Sequence, residues 1–257
     1  MISTAESVLH HPRGASLSPS ALRVKRVDGY PAPMPPREES LPLFPLPSVV
    51  LFPHARVPLH VFEPRYRQMT ARALAGARRI GMVAARPEHA AAMAGDPPVF
   101  AIGCAGVIDE AVRREDGRYD IVLRGTERFR IVEESPPNGQ RLFRVARVEL
   151  LEDPFDEARE GIPLQGLRAD AIDLLSSLLR LAAPEGARPL DPRRFSGIDD
   201  VTFVNLLCQL LKLAPAEKQG LLETSGILAR CEALVALLQF RVAELGGGIP
   251  AASRTLH

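Results

Sequence analysis

Hydrophobic residues between Leu41 and about Glu152 recur mainly with the period of β-strands. The clearest run places one set of residues on a shared parity: Tyr119, Ile121, Leu123, Phe129 and Ile131. The other parity carries polar residues: Asp120, Arg124, Arg128 and Arg130. Such alternation predicts a strand with one buried face, and Gly125 in its middle predicts a bulge or kink. About six or seven short strands without a βαβ rhythm indicate a closed or partly closed mixed barrel.

Prolines and one helix interrupt this strand pattern. The apolar runs from Leu43 to Phe52 are punctuated by four prolines: Pro42, Pro45, Pro47 and Pro53. Because proline cannot donate to a central ladder, these runs are predicted to be short edge strands and loops. Pro64 stands where a proline in the first helical position belongs. Apolar residues follow it at helical spacing, which predicts one short helix that ends near Gly76.

After Pro154 the hydrophobic period becomes that of helices. Helical spacing runs from Leu164 to Ala182, Asp199 or Asp200 can cap a helix through Leu213, Pro215 opens a short helix, and Ile227 to Leu245 gives another. These segments predict a bundle of about four antiparallel helices. The predicted organisation is a disordered arm at 1–40, a β-domain at 41–153, a helical bundle at 154–246 and a tail at 247–257.

The arm is predicted from its composition. Residues 1–40 are rich in serine and proline and show no apolar periodicity, so they bury too little surface to offset the entropy of ordering the chain. A transit peptide is the alternative, because acidic residues are scarce before Asp28 while Arg13, Arg23, Lys25 and Arg26 are present. A disordered tail is the preferred interpretation.

Charge and cysteine usage narrow the class of protein. The 257 residues are 46% apolar and carry a net charge of +1, with a modest basic excess in residues 41–150 and an acidic excess after them. Nucleic-acid binders concentrate basic charge, so nucleic-acid binding is not favoured. Three scattered cysteines predict neither a disulfide framework nor a four-thiolate zinc site, and indicate a reducing, cytoplasmic location. No apolar run reaches the roughly 20 residues of a membrane span.

A search for catalytic and cofactor motifs is mostly negative. None of the three lysines lies in a Gly-Lys-Ser/Thr phosphate loop, and the six histidines contain no His-Glu-x-x-His pair. Gly-x-Ser-x-Gly, Gly-x-Gly-x-x-Gly and Cys-x-x-Cys are also absent. A dyad of Cys104 with a distant histidine is less expected than an inert buried thiol. The sequence therefore predicts no cofactor, no metal and no enzyme.

Two segments carry candidate binding residues. In Leu59–Tyr66 (LHVFEPRY) a strand turns directly into a helix, and Glu63 lies at or near the helix N-cap, where a carboxylate accepts from free amides. The structural interpretation is that Glu63 and Arg65 tie the junction while Phe62 and Tyr66 fill the core. The second segment is Leu123–Phe129 (LRGTERF). Three interpretations of its Arg124 and Arg128 stay open: they bind carboxylates or phosphates, they lie on a solvated face, or they pair with Glu63.

Five motifs together resemble the N-terminal domain of the Lon (peptidase S16) proteases, most of all the bacterial stand-alone Lon-N-like proteins. They are Leu41–Pro53 (LPLFPLPSVVLFP), Pro58–Tyr66 (PLHVFEPRY), Arg79–Val83 (RIGMV), Gly103–Gly106 (GCAG) and the segment from Arg124–Gly125 to Arg128–Val132 (RFRIV). The resemblance covers about residues 40–245. It implies a PUA-like pseudo-barrel followed by a helical bundle, in a region that helps Lon to recognise unfolded or tagged proteins. ATP hydrolysis and Ser–Lys proteolysis belong to later Lon domains, for which this sequence shows no motifs.

The leading hypothesis is a non-enzymatic recognition or adaptor module that binds peptide or protein segments, as part of a protease or chaperone system. The residues predicted to bind are Phe62, Glu63, Arg65, Tyr66, Arg124 and Arg128. A second hypothesis is a small-molecule-binding protein or hydrolase with Glu63 or His60 as base, which requires Glu63 to line an open cleft. A third is RNA binding, which requires the arginines to form one continuous stripe.

Overall fold

A computed structural model describes residues 37–92, 95–182 and 191–247. Residues 1–36 of the predicted arm and 248–257 of the predicted tail lie outside the described residues, as do positions 183–190 between two helices. The first strand begins at Glu38, three residues before the predicted start of the β-domain. Glu38 and Glu39 belong to this strand because they are tied to its neighbours: Glu38 accepts from Arg147 at 3.0 Å, and Glu39 pairs with Arg79 at 2.8 Å.

Six strands and five α-helices make up the described chain. In chain order they are β1 (Glu38–Leu46), β2 (Arg56–Val61), α1 (Pro64–Leu74), β3 (Arg79–Ala84), β4 (Ile102–Arg113), β5 (Tyr119–Ser135), β6 (Val145–Leu151), α2 (Glu157–Ala182), α3 (Asp200–Leu210), α4 (Pro215–Glu223) and α5 (Ile227–Leu245). Short 3₁₀ helices span Pro87–Ala92 and Pro192–Phe195. The predicted α+β class, the single inserted helix and the later group of four helices are confirmed.

The strands form a closed, mixed barrel. Their order is β2-β5-β4-β3-β1-β6, and β6 pairs again with β5, so five strands make a ring to which β2 is added. The β1–β3 pair is parallel and the other ladders are antiparallel. The 17-residue β5 makes closure possible, because its first part pairs with β2 and its last part with β6.

The sequence predicted that the prolines of β1 mark an edge strand, and this prediction is wrong. β1 lies between β3 and β6, but its two halves pair in turn: Glu38–Pro42 align with β6, and Leu43–Leu46 with β3. Each half therefore has a ladder on one side only. With a ladder on one side only, each half of β1 has backbone positions whose N–H would face away from the ladder, and a proline at such a position removes no ladder hydrogen bond.

The bulge predicted at Gly125 is present, and it changes which side chains of β5 are buried. Gly106 on β4 pairs with Gly125, whereas Ala105 pairs with Glu127, so Thr126 is the extra residue. A Cβ at Gly125 would overlap the Phe52 carbonyl oxygen, which explains the glycine. Beyond the bulge the alternation is shifted by one residue.

Two hydrophobic clusters result from this shift. Before the bulge, Tyr119, Ile121 and Leu123 join the large cluster that the sheet shares with α1 and the later helices. After it, Phe129 joins a smaller cluster made of residues from the five ring strands, which is the interior of the barrel. The larger cluster runs without a break into α2, α3, α4 and α5. Sheet and helices are therefore held by one continuous core.

Helix ends follow the local rules that the sequence suggested. The Asp199 side chain accepts from the Thr202 amide at 2.8 Å and caps α3, while Pro64 and Pro215 open α1 and α4. α3 ends at Leu210, three residues earlier than predicted. Across the described ranges, none of the helices combines the length and the apolar character needed to cross a membrane.

Candidate functional site

Four of the predicted binding residues lie at the junction between β2 and α1: Phe62, Glu63, Arg65 and Tyr66. Glu63 is the N-cap residue of α1, but its carboxylate accepts no helix amide. It pairs instead with Arg65, whose Nε and Nη2 both lie 2.9 Å from Glu63 Oε2. The prediction that Glu63 accepts from free amides is therefore wrong, because the arginine two residues later takes up the carboxylate. The Glu63 backbone oxygen accepts from the amides of Tyr66 and Arg67.

Tyr66 belongs to the core and Phe62 does not. The centroid of the Tyr66 ring lies 4.6 Å from that of Phe44 and 4.5 Å from the guanidinium carbon of Arg65, and burial raises the pKa of Tyr66 to about 12. Phe62, in contrast, is 59% exposed. The prediction that Phe62 fills the core is wrong. Val57, Leu59 and Val61 point inward along β2, so the next residue points outward.

Phe62 continues an exposed surface that we call the outer β2 face, made of Pro58, His60, Phe62, Val112, Asp120 and Val122. Strand pairing sets Pro58 opposite Val122 and His60 opposite Asp120, which is also paired with Val112. The His60 and Phe62 rings stack at 6.2 Å, and Val112 is 63% exposed. A shallow groove of about 420 Å³ runs over this face. The outer β2 face thus combines exposed apolar side chains with a few polar ones.

Charged groups on and around this face are paired with one another. His60 Nδ1 lies 2.6 Å from Asp120 Oδ1, and Arg114 Nε donates to Asp120 Oδ2 at 2.7 Å. These hydrogen bonds, that of His60 first, hold the pKa of Asp120 below its usual range. At the other end of β2, the Asp109 carboxylate accepts from Arg124 Nε at 3.1 Å and pairs with Arg56 at 3.0 Å. Arg124 therefore pairs with Asp109 and not with Glu63.

Arg128 is not part of this surface. The bulge places it on the same side of β5 as Leu123, and only 2% of its side chain is exposed. Its Nη1 donates to the Leu222 carbonyl oxygen at 3.0 Å, and its Nη2 lies 2.6 Å from Asp153 Oδ1. The prediction that Arg128 lies on the polar parity is wrong because the extra residue reverses the alternation. Burial, with help from the Arg230 charge, lowers the pKa of Arg128, and Asp153 opposes that shift.

Asp153 joins Arg128 to a second buried arginine, Arg230 of α5. Arg230 donates to both Asp153 oxygens, at 3.0 and 2.7 Å, and to the Asn205 Oδ1 at 2.8 Å. Its remaining donors reach the carbonyl oxygens of Leu221 and Thr224. We call Arg128, Asp153 and Arg230 the buried triad. It connects β5, the segment after β6, and α3 to α5.

Sequence reasoning missed Asp153, Arg230 and Asn205, although the sequence carries a signal for two of them. Arg230 lies on the apolar face of α5, one residue before the buried Cys231, and Asn205 lies among the buried residues of α3. A charged or amide side chain on a face that is otherwise apolar indicates a buried partner. The partner of Arg230, Asp153, comes from a loop and has no such periodicity.

The three cysteines are free and buried. Burial raises the pKa of Cys104, and it raises those of Cys208 and Cys231 to about 12. A thiol in such surroundings is a poor nucleophile. Among the described residues no group of three or more His, Cys, Asp and Glu is placed to hold a metal ion.

The fold and the outer β2 face define a class: a closed mixed barrel that continues into a helical segment and exposes an apolar patch beside a strand-to-helix junction. Residues 40–239 match the ATP-dependent protease La (LON) substrate-binding domain, and the chain belongs to that family. The resemblance seen in the sequence motifs is thereby confirmed.

Known proteins agree with this assignment. The chain is 27% identical over 211 residues to the Lon protease of Escherichia coli K12, covering 81% of this chain and 26% of that protein, and 28% identical over 222 residues to Lon protease 2 of Sorangium cellulosum, covering 80% and 25%. It therefore spans about a quarter of the length of these relatives.

Two solved structures share the fold. A Lon N-terminal domain protein from Xanthomonas campestris aligns with a TM-score of 0.53 and 25% identity, over 77% of this chain and 98% of that one. The N-terminal domain of the Mycobacterium avium complex Lon protease aligns with a TM-score of 0.57 and 20% identity, over 78% and 98%.

Proposed function

We propose that this chain is a non-catalytic recognition module that binds unfolded or peptide segments of proteins through the outer β2 face. The observation that carries the proposal is the exposure of Phe62 and Val112, which lie beside the His60–Asp120 pair: Phe62 stacks on His60 and Val112 is the strand partner of Asp120. Exposed apolar patches mark interaction sites, and the family is a substrate-binding domain of a protease. The corresponding partner is a protease or chaperone system, and the three free cysteines fit a cytoplasmic location.

Phe62 is suited to be the anchor of such a site. Burying a phenylalanine side chain that is otherwise exposed contributes about 1.5–3 kcal/mol, and aromatic residues are enriched among the residues that dominate binding energy. The junction beneath Phe62 is fixed, because Glu63 is bound to Arg65 and Tyr66 is packed in the core. A fixed anchor loses little conformational entropy when a partner covers it.

The edge of β2 supplies the second element of recognition. Within the described part of the chain, β2 pairs with β5 alone, so no strand occupies its other edge. An extended peptide that adds to a sheet edge gains main-chain hydrogen bonds, and adjacent side chains give selectivity. Arg56 and Arg124, which are strand partners and both pair with Asp109, border the outer β2 face at the end far from Phe62. We keep Arg124 as a border residue and leave out Arg128, because it is buried.

The site supports the two other hypotheses less well. The Glu63 carboxylate is bound to Arg65 at 2.9 Å, which does not suit a general base. Many of the barrel arginines are paired with carboxylates, as in Arg79 with Glu39 and Arg147 with Glu38, which disfavours a continuous stripe of unpaired charge. A polypeptide ligand is therefore the proposal that the geometry supports best.

The test is binding of a fluorescently labelled, permanently unfolded polypeptide, measured by anisotropy with the purified chain. Phe62→Ser and Val112→Ser should each weaken binding about tenfold, the loss of an anchor contact worth about 1.4 kcal/mol. Leu210→Ser is the matched control, because Leu210 is 74% exposed on α3, away from this face. Equal affinity in all three variants, with unchanged melting temperatures, would refute the outer β2 face as the binding surface.

A further inference from the structure

A groove lies between α2 and the segment that leads into α3, and we call it the α2 groove. It has a volume of about 460 Å³. Its walls are Gln165, Arg168, Ala169, Ile172 and Asp173 on α2, and Ser196, Ile198 and Asp200 on the other side. These lining residues include none of the outer β2 face or of the buried triad. The α2 groove is therefore a separate surface of the described chain.

Helical spacing brings the α2 residues of the groove to one face. Gln165, Ala169 and Asp173 follow one another at intervals of four residues, and Arg168 and Ile172 are also four apart. Residues at this spacing are neighbours on a helix surface. Ala169 and the buried Ile172 therefore form an apolar floor, which is bordered by the carboxylate of Asp173.

Arg168 holds the two walls of the groove together. Its Nη1 donates to the Ile198 carbonyl oxygen at 2.9 Å and to the Asp200 carboxylate, and its Nη2 donates to the Phe195 carbonyl oxygen. Its guanidinium carbon also lies 4.2 Å from the centroid of the Phe203 ring. Asp200 neutralises this charge and backbone oxygens occupy its donors, so Arg168 is a structural link and leaves little for an anionic ligand.

Asp173 carries the unmatched charge of the groove. It is exposed, and no hydrogen bond or ion pair joins its carboxylate to another described residue. Asp170, on the next turn back, is exposed and unpaired in the same way. Burial first, and then the negative charges of Asp200, Glu232 and Asp170, raise the pKa of Cys231. This side of the helices therefore has a negative potential, which attracts a cation and repels an anion.

Two neutral acceptors accompany the Asp173 carboxylate. The Gln165 side-chain amide makes no hydrogen bond to a described residue, and Ser196 Oγ, which donates to the Arg193 carbonyl oxygen at 2.8 Å, keeps its lone pairs for accepting. A guanidinium has five N–H donors and no acceptor, and it pairs with a carboxylate in a planar fork. An ammonium group has three donors and is more strongly hydrated. The lining therefore suits arginine better than lysine.

We propose that the α2 groove binds an arginine side chain of a partner polypeptide. The methylene groups of that arginine cover Ala169 and Ile172, as the stems of basic side chains commonly cover apolar surface. Its guanidinium donates to the Asp173 carboxylate. This inference goes beyond the proposed function and does not rest on it, because it concerns another surface and a charged group in place of apolar side chains.

The test is titration of the full chain, labelled with ¹⁵N, with the capped peptide acetyl-Gly-Arg-Gly-amide. The backbone amide resonances of α2 between Gln165 and Asp173 should shift and saturate, with a Kd on the order of 1 mM. Asp173→Asn removes the charge and keeps the size, and it should weaken binding about tenfold. Glu115→Gln is the matched control, because Glu115 is also an exposed carboxylate without a described partner but lies in the turn between β4 and β5.

Two further arms test the chemistry and the place of binding. A peptide with citrulline in place of arginine keeps the shape but not the charge, and it should bind at least about tenfold more weakly. Ala169→Arg puts a basic side chain four residues before Asp173, where it occupies the groove itself, and should abolish binding of the probe. Phe62→Ser should bind the probe as the unchanged chain does, which separates this proposal from the outer β2 face. Equal affinity for the two peptides, or equal affinity of Asp173→Asn and Glu115→Gln for the arginine peptide, would overturn the proposal.

Discussion

Asp153→Asn should be one of the most destabilising single substitutions of a polar residue in this protein. Asp153 lies between the guanidinium groups of Arg128 and Arg230, of which at most 2% is exposed, and Asp153 is itself 15% exposed. The substitution keeps the shape of the side chain but removes the negative charge, so two buried cations remain without a counter-charge. Breaking a buried ion pair by removing one partner typically costs about 3–5 kcal/mol.

That cost is measurable in this chain. For a protein of this size each kcal/mol shifts the melting temperature by about 2–4 °C, so Asp153→Asn should melt about 6–20 °C lower. Urea unfolding should show a lower midpoint with an unchanged slope, because the area exposed on unfolding stays the same. Glu38→Gln is the matched control: it also removes a carboxylate bound to an arginine, but both partners are about half exposed, and no measurable shift is expected.

The net positive charge of the buried triad allows a sharper test, in which removing one cation is compared with removing the anion. The triad has two positive groups and one negative group, so Arg128→Met removes the excess cation and leaves the Asp153–Arg230 pair intact. Its cost is limited to the Leu222 and Glu152 carbonyl oxygens that lose a donor, about 1–3 kcal/mol for an unsatisfied buried group. Arg128→Met should therefore be milder than Asp153→Asn. The opposite order, or an Asp153→Asn variant as stable as Glu38→Gln, would refute the view that charge balance holds the triad.

Two further predictions follow from the barrel and from the buried acids. Gly125→Ala should prevent stable folding, since its Cβ would overlap the Phe52 carbonyl oxygen. Gly166→Ala in α2 has open space around the new Cβ and should raise the free energy of unfolding by about 0.5–1 kcal/mol. Thermal melts of both variants check this pair. At alkaline pH the urea midpoint should fall as pH rises from about 9 to 12, because Cys208, Cys231 and Tyr66 ionise from 9.0 and 10.0 when unfolded but only near 12 when folded. Below pH 9 these groups should leave the urea midpoint unchanged. A urea midpoint that increases as the pH is raised beyond 9 would contradict the burial of these groups.

Local rules were enough to predict most elements, but not which side chains of β5 are buried beyond its bulge. Gly125 and the alternation on either side of it predicted a strand with a bulge, and both are present. The number of residues in a bulge decides which side chains are buried beyond it, and that number depends on how β4 pairs across the barrel. Arg128 was therefore assigned to the wrong face, although Leu123 before the bulge was assigned correctly.

The same distinction applies to the candidate site. The alternation of Val57, Leu59 and Val61 already implied that Phe62 points outward, and treating it as core ignored that signal. The pairs of Arg124 with Asp109 and of Arg128 with Asp153 were beyond prediction, because each joins residues whose proximity is set by strand pairing or by a loop. Long-range ion pairs have no periodicity in the sequence.

The arginines of this chain explain why apolar contact is the expected basis of its function. A sequence with 29 arginines among 32 basic residues suggests a protein that binds through charge. The structure uses many of these side chains differently: surface arginines such as Arg56 and Arg147 pair with neighbouring carboxylates, and in the interior Arg128 and Arg230 connect the barrel to the helices. Phe62 and Val112 have no such partners and stay exposed. Because many of the charges are already paired within the fold, we expect binding energy to come mainly from burying these apolar side chains.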